Sequence, residues 1–120
     1  KQHRVTRGED YRRIVRNGFR VGGAASIAHA VLHVGDESAE PDPARFGFII
    51  SKAVGGAVTR NLVRRRMKSI VERRLATGFT GADVVFRALP ASADTTFAEL
   101  ASEMDRQLDR VSERRAGSHR

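Results

Sequence analysis

Apolar residues recur along this chain in two rhythms, and the rhythm separates helices from strands. In residues 9–17 (EDYRRIVRN), Tyr11, Ile14 and Val15 fall three and four apart, the spacing of one helical stripe. Acids open that segment, arginines follow and Gly18 ends it, the order a helix dipole favours. Residues 26–34 (SIAHAVLHV) alternate instead, which predicts a strand. Ala28, Ala30, Leu32 and Val34 make its core face, while Ile27, His29, Val31 and His33 make a mixed face expected to be half exposed. A second strand is expected over residues 45–51 (RFGFIIS), paired antiparallel with the first across an acidic, Pro-bearing loop at 35–44.

Helical spacing returns over residues 57–76, where Val63, Met67, Ile70 and Val71 share one side of the wheel. A glycine-containing turn at 52–56 precedes this helix, and residues 77–81, with two glycines, end it. A third strand is expected at 83–89 (DVVFRAL), stopped by Pro90. The last helix, 96–114, opens with a capping box, Thr96 and Glu99, and carries Phe97, Leu100, Met104, Leu108 and Val111 as its apolar stripe. Residues 1–8 read as a basic flexible arm, 9–114 as a single domain and 115–120 as a flexible tail. The resulting order, α-β-β-α-β-α, is an α+β sandwich with helices packed on a small sheet.

Charge changes the picture from fold to partner. The 120 residues hold 22 Lys and Arg against 14 Asp and Glu, a formal net charge of +8, which favours a polyanion. There is no cysteine, which excludes disulfides and thiolate metal sites and fits a cytoplasmic location. No apolar run approaches the roughly 20 residues of a membrane span, so no membrane partner is expected. The positive charge concentrates on the long helix. Asn61, Arg64, Arg65 and Lys68 gather opposite its core stripe, Arg60 lies against them, and Arg66 and Arg73 flank that arc. Glu72 is the one acid between Arg60 and Arg74. An ordinary exposed helix alternates Glu with Lys at i, i+4; here like charges repel unless a phosphate backbone offsets them. Lys52 stands at the entrance to this helix, whose first amides favour anions. The turn lacks the Gly-Lys-Ser/Thr ending of a P-loop, so neither nucleotide hydrolysis nor any small-molecule substrate is expected.

Candidate catalytic groups are scarce. Glu9 and Asp10 are helix neighbours that point apart. The carboxylates at Asp36, Glu37, Glu40 and Asp42 sit in a loop, poorly suited to a fixed two-carboxylate site. His29 and His33 share a strand face and suit base stacking or surface exposure better than metal binding, and Ser51 has no partnering His and Asp. No protein catalytic residue is expected, and whether the protein supplies a metal ligand stays open.

Several blocks of this sequence resemble the protein component of bacterial ribonuclease P. They are Glu9-Asp10-Tyr11 continuing to Val15 and Gly18, the run from Arg45-Phe46-Gly47-Phe48 to Lys52, and above all Gly55-Gly56-Ala57-Val58-Thr59-Arg60-Asn61 followed by Arg64, Arg65 and Lys68. Asp83-Val84-Val85-Phe86-Arg87 and Phe97-Ala98-Glu99-Leu100 fit as well. The resemblance implies that family's fold, which is like the second domain of ribosomal protein S5, with a left-handed crossover against the general right-handed preference. It implies a ribonucleoprotein that removes the 5′ leader of precursor tRNA, with catalysis by the RNA subunit and Mg²⁺ bound mainly through that RNA. Carried over residue by residue, Lys52, Arg60, Asn61, Arg64, Arg65, Arg66 and Lys68 would face ribonuclease P RNA. Tyr11, Val15, Ile27 and His29 would line the cleft for the leader. Leu62, Ala53 and Val15 depart from the family pattern, with Leu62 expected to stand exposed where a basic residue is usual. A stand-alone RNA-binding or ribosome-associated protein is the alternative.

Overall fold

The computed structural model describes residues 3–33 and 42–118; Val34 and most of the expected acidic loop fall outside the described residues. The chain runs α1 (Gly8–Asn17), β1 (Phe19–Gly22), β2 (Ser26–Leu32), β3 (Arg45–Ile49), α2 (Ala57–Ala76), β4 (Ala82–Ala88), a 3-10 turn (Pro90–Ala93) and α3 (Phe97–Ser118). The α+β class stands, and two expectations need correction. A strand, β1, occupies a stretch with no expected element. In addition, β2 and β3 are not partners, because the sheet order is β1-β2-β4-β3. Strand β4 lies between them, antiparallel to β2 and parallel to β3, and α2 is the crossover from β3 to β4. The composition of β4 explains its place. All its residues except Arg87 are buried, as befits a strand covered on both faces.

Two unequal layers cover the sheet. On one face, Phe46, Val84, Phe86, Ala28 and Ala30 meet Val63, Met67 and Ile70 of α2 and Leu100, Met104 and Leu108 of α3. Phe46 and Phe86 stack with ring centroids 6.4 Å apart. On the other face, α1 alone sets Ile14 against Val85, with Val5, Tyr11, Val15, Val31 and Ile49 around them. Each large apolar side chain so buried contributes about 1.5–3 kcal/mol.

Polar groups fix the orientation of α3. The buried Glu103 carboxylate accepts from the Ala25 amide at 3.1 Å and from the Ser26 hydroxyl. Gln107 Nε2 donates to the carbonyls of Val21 at 3.1 Å and Ser26 at 3.0 Å. The Glu103 carboxyl lies where a side chain on Gly23 would project, 2.5 Å from an ideal Cβ, so a side chain there would displace the carboxylate from its hydrogen bonds. The capping box at the start of α3 is formed as expected: the Glu99 amide donates to Thr96 Oγ1 at 3.1 Å and the Thr96 amide to Glu99 Oε1 at 3.0 Å.

Over their described parts, both chain ends are placed against or continue the domain. Residues 3–5 run along the outer edge of β3. The Val5 amide donates to the Phe46 carbonyl at 2.9 Å, the Phe46 amide donates to the His3 carbonyl at 2.8 Å, and Val5 is buried. A strand edge attracts such a partner because its amides and carbonyls are otherwise open. At the other end, α3 continues past the expected tail boundary at residue 115 to Ser118.

Candidate nucleic-acid interface

The basic face of α2 is built by a helix that has no side-chain cap and no acid in its first turn. Its core side is the expected one, with Val63, Met67, Ile70 and Val71 buried. Opposite them Asn61, Arg64, Arg65 and Lys68 are exposed and share one shallow surface with Ser69 and Glu72. Arg64, Arg65 and Lys68 make no ion pair among the described residues. Lys52 is exposed in the turn before the helix. The remaining cations of the run lie against the fold, and all but Arg60 have a partner in it. Arg60 is half-buried, with a buried Nε that has no hydrogen-bond partner among the described residues. Arg66 donates to the Thr95 carbonyl at 2.9 Å, Arg73 lies 5.6 Å from the Phe97 ring centroid, and Arg74 pairs with Asp109 at 2.8 Å. Leu62, expected to stand exposed, is half-buried; the bare apolar side chain here is Val58, 86% exposed.

A groove opens between α1 and the sheet, about 440 Å³ in volume, lined by Tyr11, Arg12, Val15, Arg16, Ile49 and Arg87. Tyr11 and Val15 are thus brought together as expected. The Tyr11 ring rests on Gly47, where an added Cβ would come within 2.6 Å of the ring, and its hydroxyl accepts from the Phe48 amide at 3.3 Å. Ile27 and His29 are not among the lining residues. His29 is buried, 5% exposed, because α1 packs on its face of the sheet; alternation along β2 shows which residues share a face but not what covers it. Burial, then the charges of Arg87 and Arg20, push the His29 imidazole below its ordinary pKa. The sequence reading missed Arg12, Arg16, Ile49 and Arg87. Arg12 and Arg16 were findable, since each directly follows one of the two residues, Tyr11 and Val15, that do line the groove.

The middle of α1 is held by a buried carboxylate. Asp83 of β4, its side chain 3% exposed, accepts two hydrogen bonds from Arg45, Nε at 3.0 Å and Nη2 at 2.7 Å, and one from Arg13 at 3.1 Å. His33 Nε2 lies 2.8 Å away from it, so His33 is tied to the fold rather than open for stacking. Burial alone would raise the Asp83 pKa. The hydrogen bonds and charges of Arg45 and His33 outweigh it and hold the carboxyl below the usual range. Asp10 adds longer contacts to Arg13 and Arg45, at 3.9 and 3.7 Å.

Fold and surface define a small basic α+β domain, with an exposed cationic face on α2 and a groove beside α1 lined by three arginines. Comparison with known proteins then gives the family. The family model described as Ribonuclease P matches residues 1–112, and the chain belongs to that family. It is 38% identical over 112 residues to the ribonuclease P protein component of Acidothermus cellulolyticus, covering 93% of this chain and 90% of that one. It is 44% identical over 111 residues to the ribonuclease P protein component of Clavibacter michiganensis subsp. michiganensis, covering 92% and 94%. The fold is shared with the RNase P protein of Staphylococcus aureus, with a TM-score of 0.77 at 20% identity over 92% of this chain and 96% of that one. It is shared also with the Thermotoga maritima protein, with a TM-score of 0.75 at 18% identity over 89% and 96%. No helix among the described residues is long and apolar enough to cross a membrane.

Proposed function

We propose that this chain is the protein subunit of a cytoplasmic ribonuclease P ribonucleoprotein and assists removal of the 5′ leader from precursor tRNA. The exposed face of α2, with Lys52, Asn61, Arg64, Arg65 and Lys68, docks on ribonuclease P RNA, with Arg60 and Arg66 at its margins. The groove beside α1 takes the single-stranded leader. Tyr11 and Val15 offer ring and apolar surface, and Arg12, Arg16 and Arg87 face the phosphates. The observation that carries this reading is the set of three exposed cations on one helix face with no ion-pair partner among the described residues, an arrangement that costs stability until a phosphate backbone meets it.

Hydrolysis of the phosphodiester bond is assigned to the RNA subunit, with Mg²⁺ as the ion that polarises phosphate oxygens. The protein's own donors do not fit a Mg²⁺ cage at the groove: Asp83 and Asp10, the carboxylates beside α1, are held by Arg45 and Arg13. The protein's contribution is therefore to bind, orient and neutralise charge. Reconstitution tests this. Protein alone should leave precursor tRNA intact, and adding it to a bacterial ribonuclease P RNA should restore leader removal at Mg²⁺ concentrations where that RNA alone is inactive. Cleavage by the protein alone, or no rescue of the RNA, would overturn the reading; RNA binding without rescue would favour a stand-alone RNA-binding protein.

A further inference from the structure

A second basic groove lies where α3 passes the free edge of β1. It encloses about 550 Å³ and is lined by Phe19 and Arg20 from the strand and by Arg106, Arg110, Glu113 and Arg114 from the helix, among others. The charges of α3 are sorted by partner. Asp105 and Asp109 are engaged by Arg74 of α2, at 3.7 and 2.8 Å, which leaves Arg106, Arg110 and Arg114, four residues apart, as a stripe along β1. Arg20, Arg106 and Arg110 make no ion pair among the described residues, and Glu113 is the single carboxylate lining the groove. Arg114 sits 4.2 Å from the Phe19 ring centroid, so a guanidinium and an aromatic ring already stack at the groove wall. Repelling arginines beside a stacked platform suit single-stranded nucleic acid, which presents phosphates and base faces together.

The two grooves are connected by the sheet. Arg87, in the α1 groove, is opposite Ile27 of β2, and Ile27 is opposite Gly22 of β1. Arg20, in the β1 groove, is opposite His29. The step from β4 to β1 is two strand spacings, roughly 10 Å. A strand leaving Arg87 therefore reaches Arg20 within a few nucleotides. We propose that the β1–α3 groove is a second single-stranded RNA site that receives the distal part of the leader after it has crossed the α1 groove. The proposal rests on the leader reading above and adds to it a path, a length and a set of contacts.

The test uses the reconstituted holoenzyme and precursor tRNAs that differ only in leader length: none, a short leader spanning the α1 groove, and one about eight nucleotides longer, enough to round the β1 edge at ~3.4 Å or more per nucleotide. Wild-type affinity should rise at each extension. Arg106→Gln with Arg110→Gln should leave the first gain intact and remove most of the second, about a 3- to 10-fold loss on the long leader alone. The salt dependence for that substrate should flatten by roughly 1.4, two contacts at ~0.7 each. Both side chains are exposed, so folding is not at stake, and Arg106→Lys with Arg110→Lys should restore the gain. Tyr11→Ala should instead reduce the first gain. A second gain untouched by the double Gln variant, or an equal loss on all three substrates, overturns the proposal while leaving the α1 groove in place. No gain from any leader in the wild type sinks the leader reading, and the second site with it.

Discussion

Arg64 and Arg65 on α2 and Arg13 and Arg45 around Asp83 are the same residue type put to opposite uses. The first pair is exposed with no counter-ion among the described residues; the second is clamped on a carboxylate buried to 3% exposure. The fold depends on the second pair and gains nothing from the first. A count of arginines cannot separate the two, because a net charge of +8 sums both. Pairing separates them. On the proposed reading, a cation whose charge is met inside the chain serves the fold, and one whose charge is left open serves RNA binding.

The largest expected effect attacks the structural side. Asp83→Ala removes the shared acceptor of Arg45, Arg13 and His33 and should cost roughly 3 kcal/mol, several charge-assisted hydrogen bonds lost at once while the freed arginines are partly solvated. Urea unfolding reads this, and a loss under ~1 kcal/mol would mean the clamp is not structural. Gly47→Ala comes next. The Tyr11 ring must lift off the strand, a strain of about 1–3 kcal/mol, and leader-dependent affinity should fall with it. Unchanged leader affinity would remove Tyr11 from the groove's working surface. Arg66→Ala sharpens the boundary between the two uses. It loses the hydrogen bond to Thr95, about 1 kcal/mol, and should alter the salt dependence of RNA binding less than Arg65→Ala does. The smallest effect near neutrality is that of pH. The Asp83 carboxyl is depressed, so its stabilisation is complete above about pH 5 and is lost as pH falls through and below the ordinary carboxylate range. An acid unfolding midpoint that Asp83→Asn leaves unmoved would contradict this.

Periodicity along the chain located both long helices closely, because twenty residues of helical spacing cannot be read another way. It missed β1, where four residues between glycines give too short an alternation to register. It paired β2 with β3 because alternation assigns faces and not neighbours. The clue to the true order was present in β4, whose near-continuous apolar run marks a central strand, and in β3, whose Arg45, Phe48 and Ile49 are only half-buried, as at an edge. At the site, the wheel identified the exposed cations of α2. It could not see that Arg66 reaches Thr95 or that Arg74 reaches Asp109, since those contacts join residues about thirty positions apart. His29 was misjudged as half exposed for the same reason: what covers a strand face is decided by a distant segment, here α1.

The most direct measurement is the salt dependence of binding to ribonuclease P RNA by the wild type and by Arg64→Ala with Arg65→Ala. The double variant should keep its stability within about 0.5 kcal/mol, while the slope of log affinity against log salt falls by roughly 1.8, two phosphate contacts at ~0.9 each. An unchanged slope, or a stability loss as large as that of Asp83→Ala, would contradict the division between open and paired arginines.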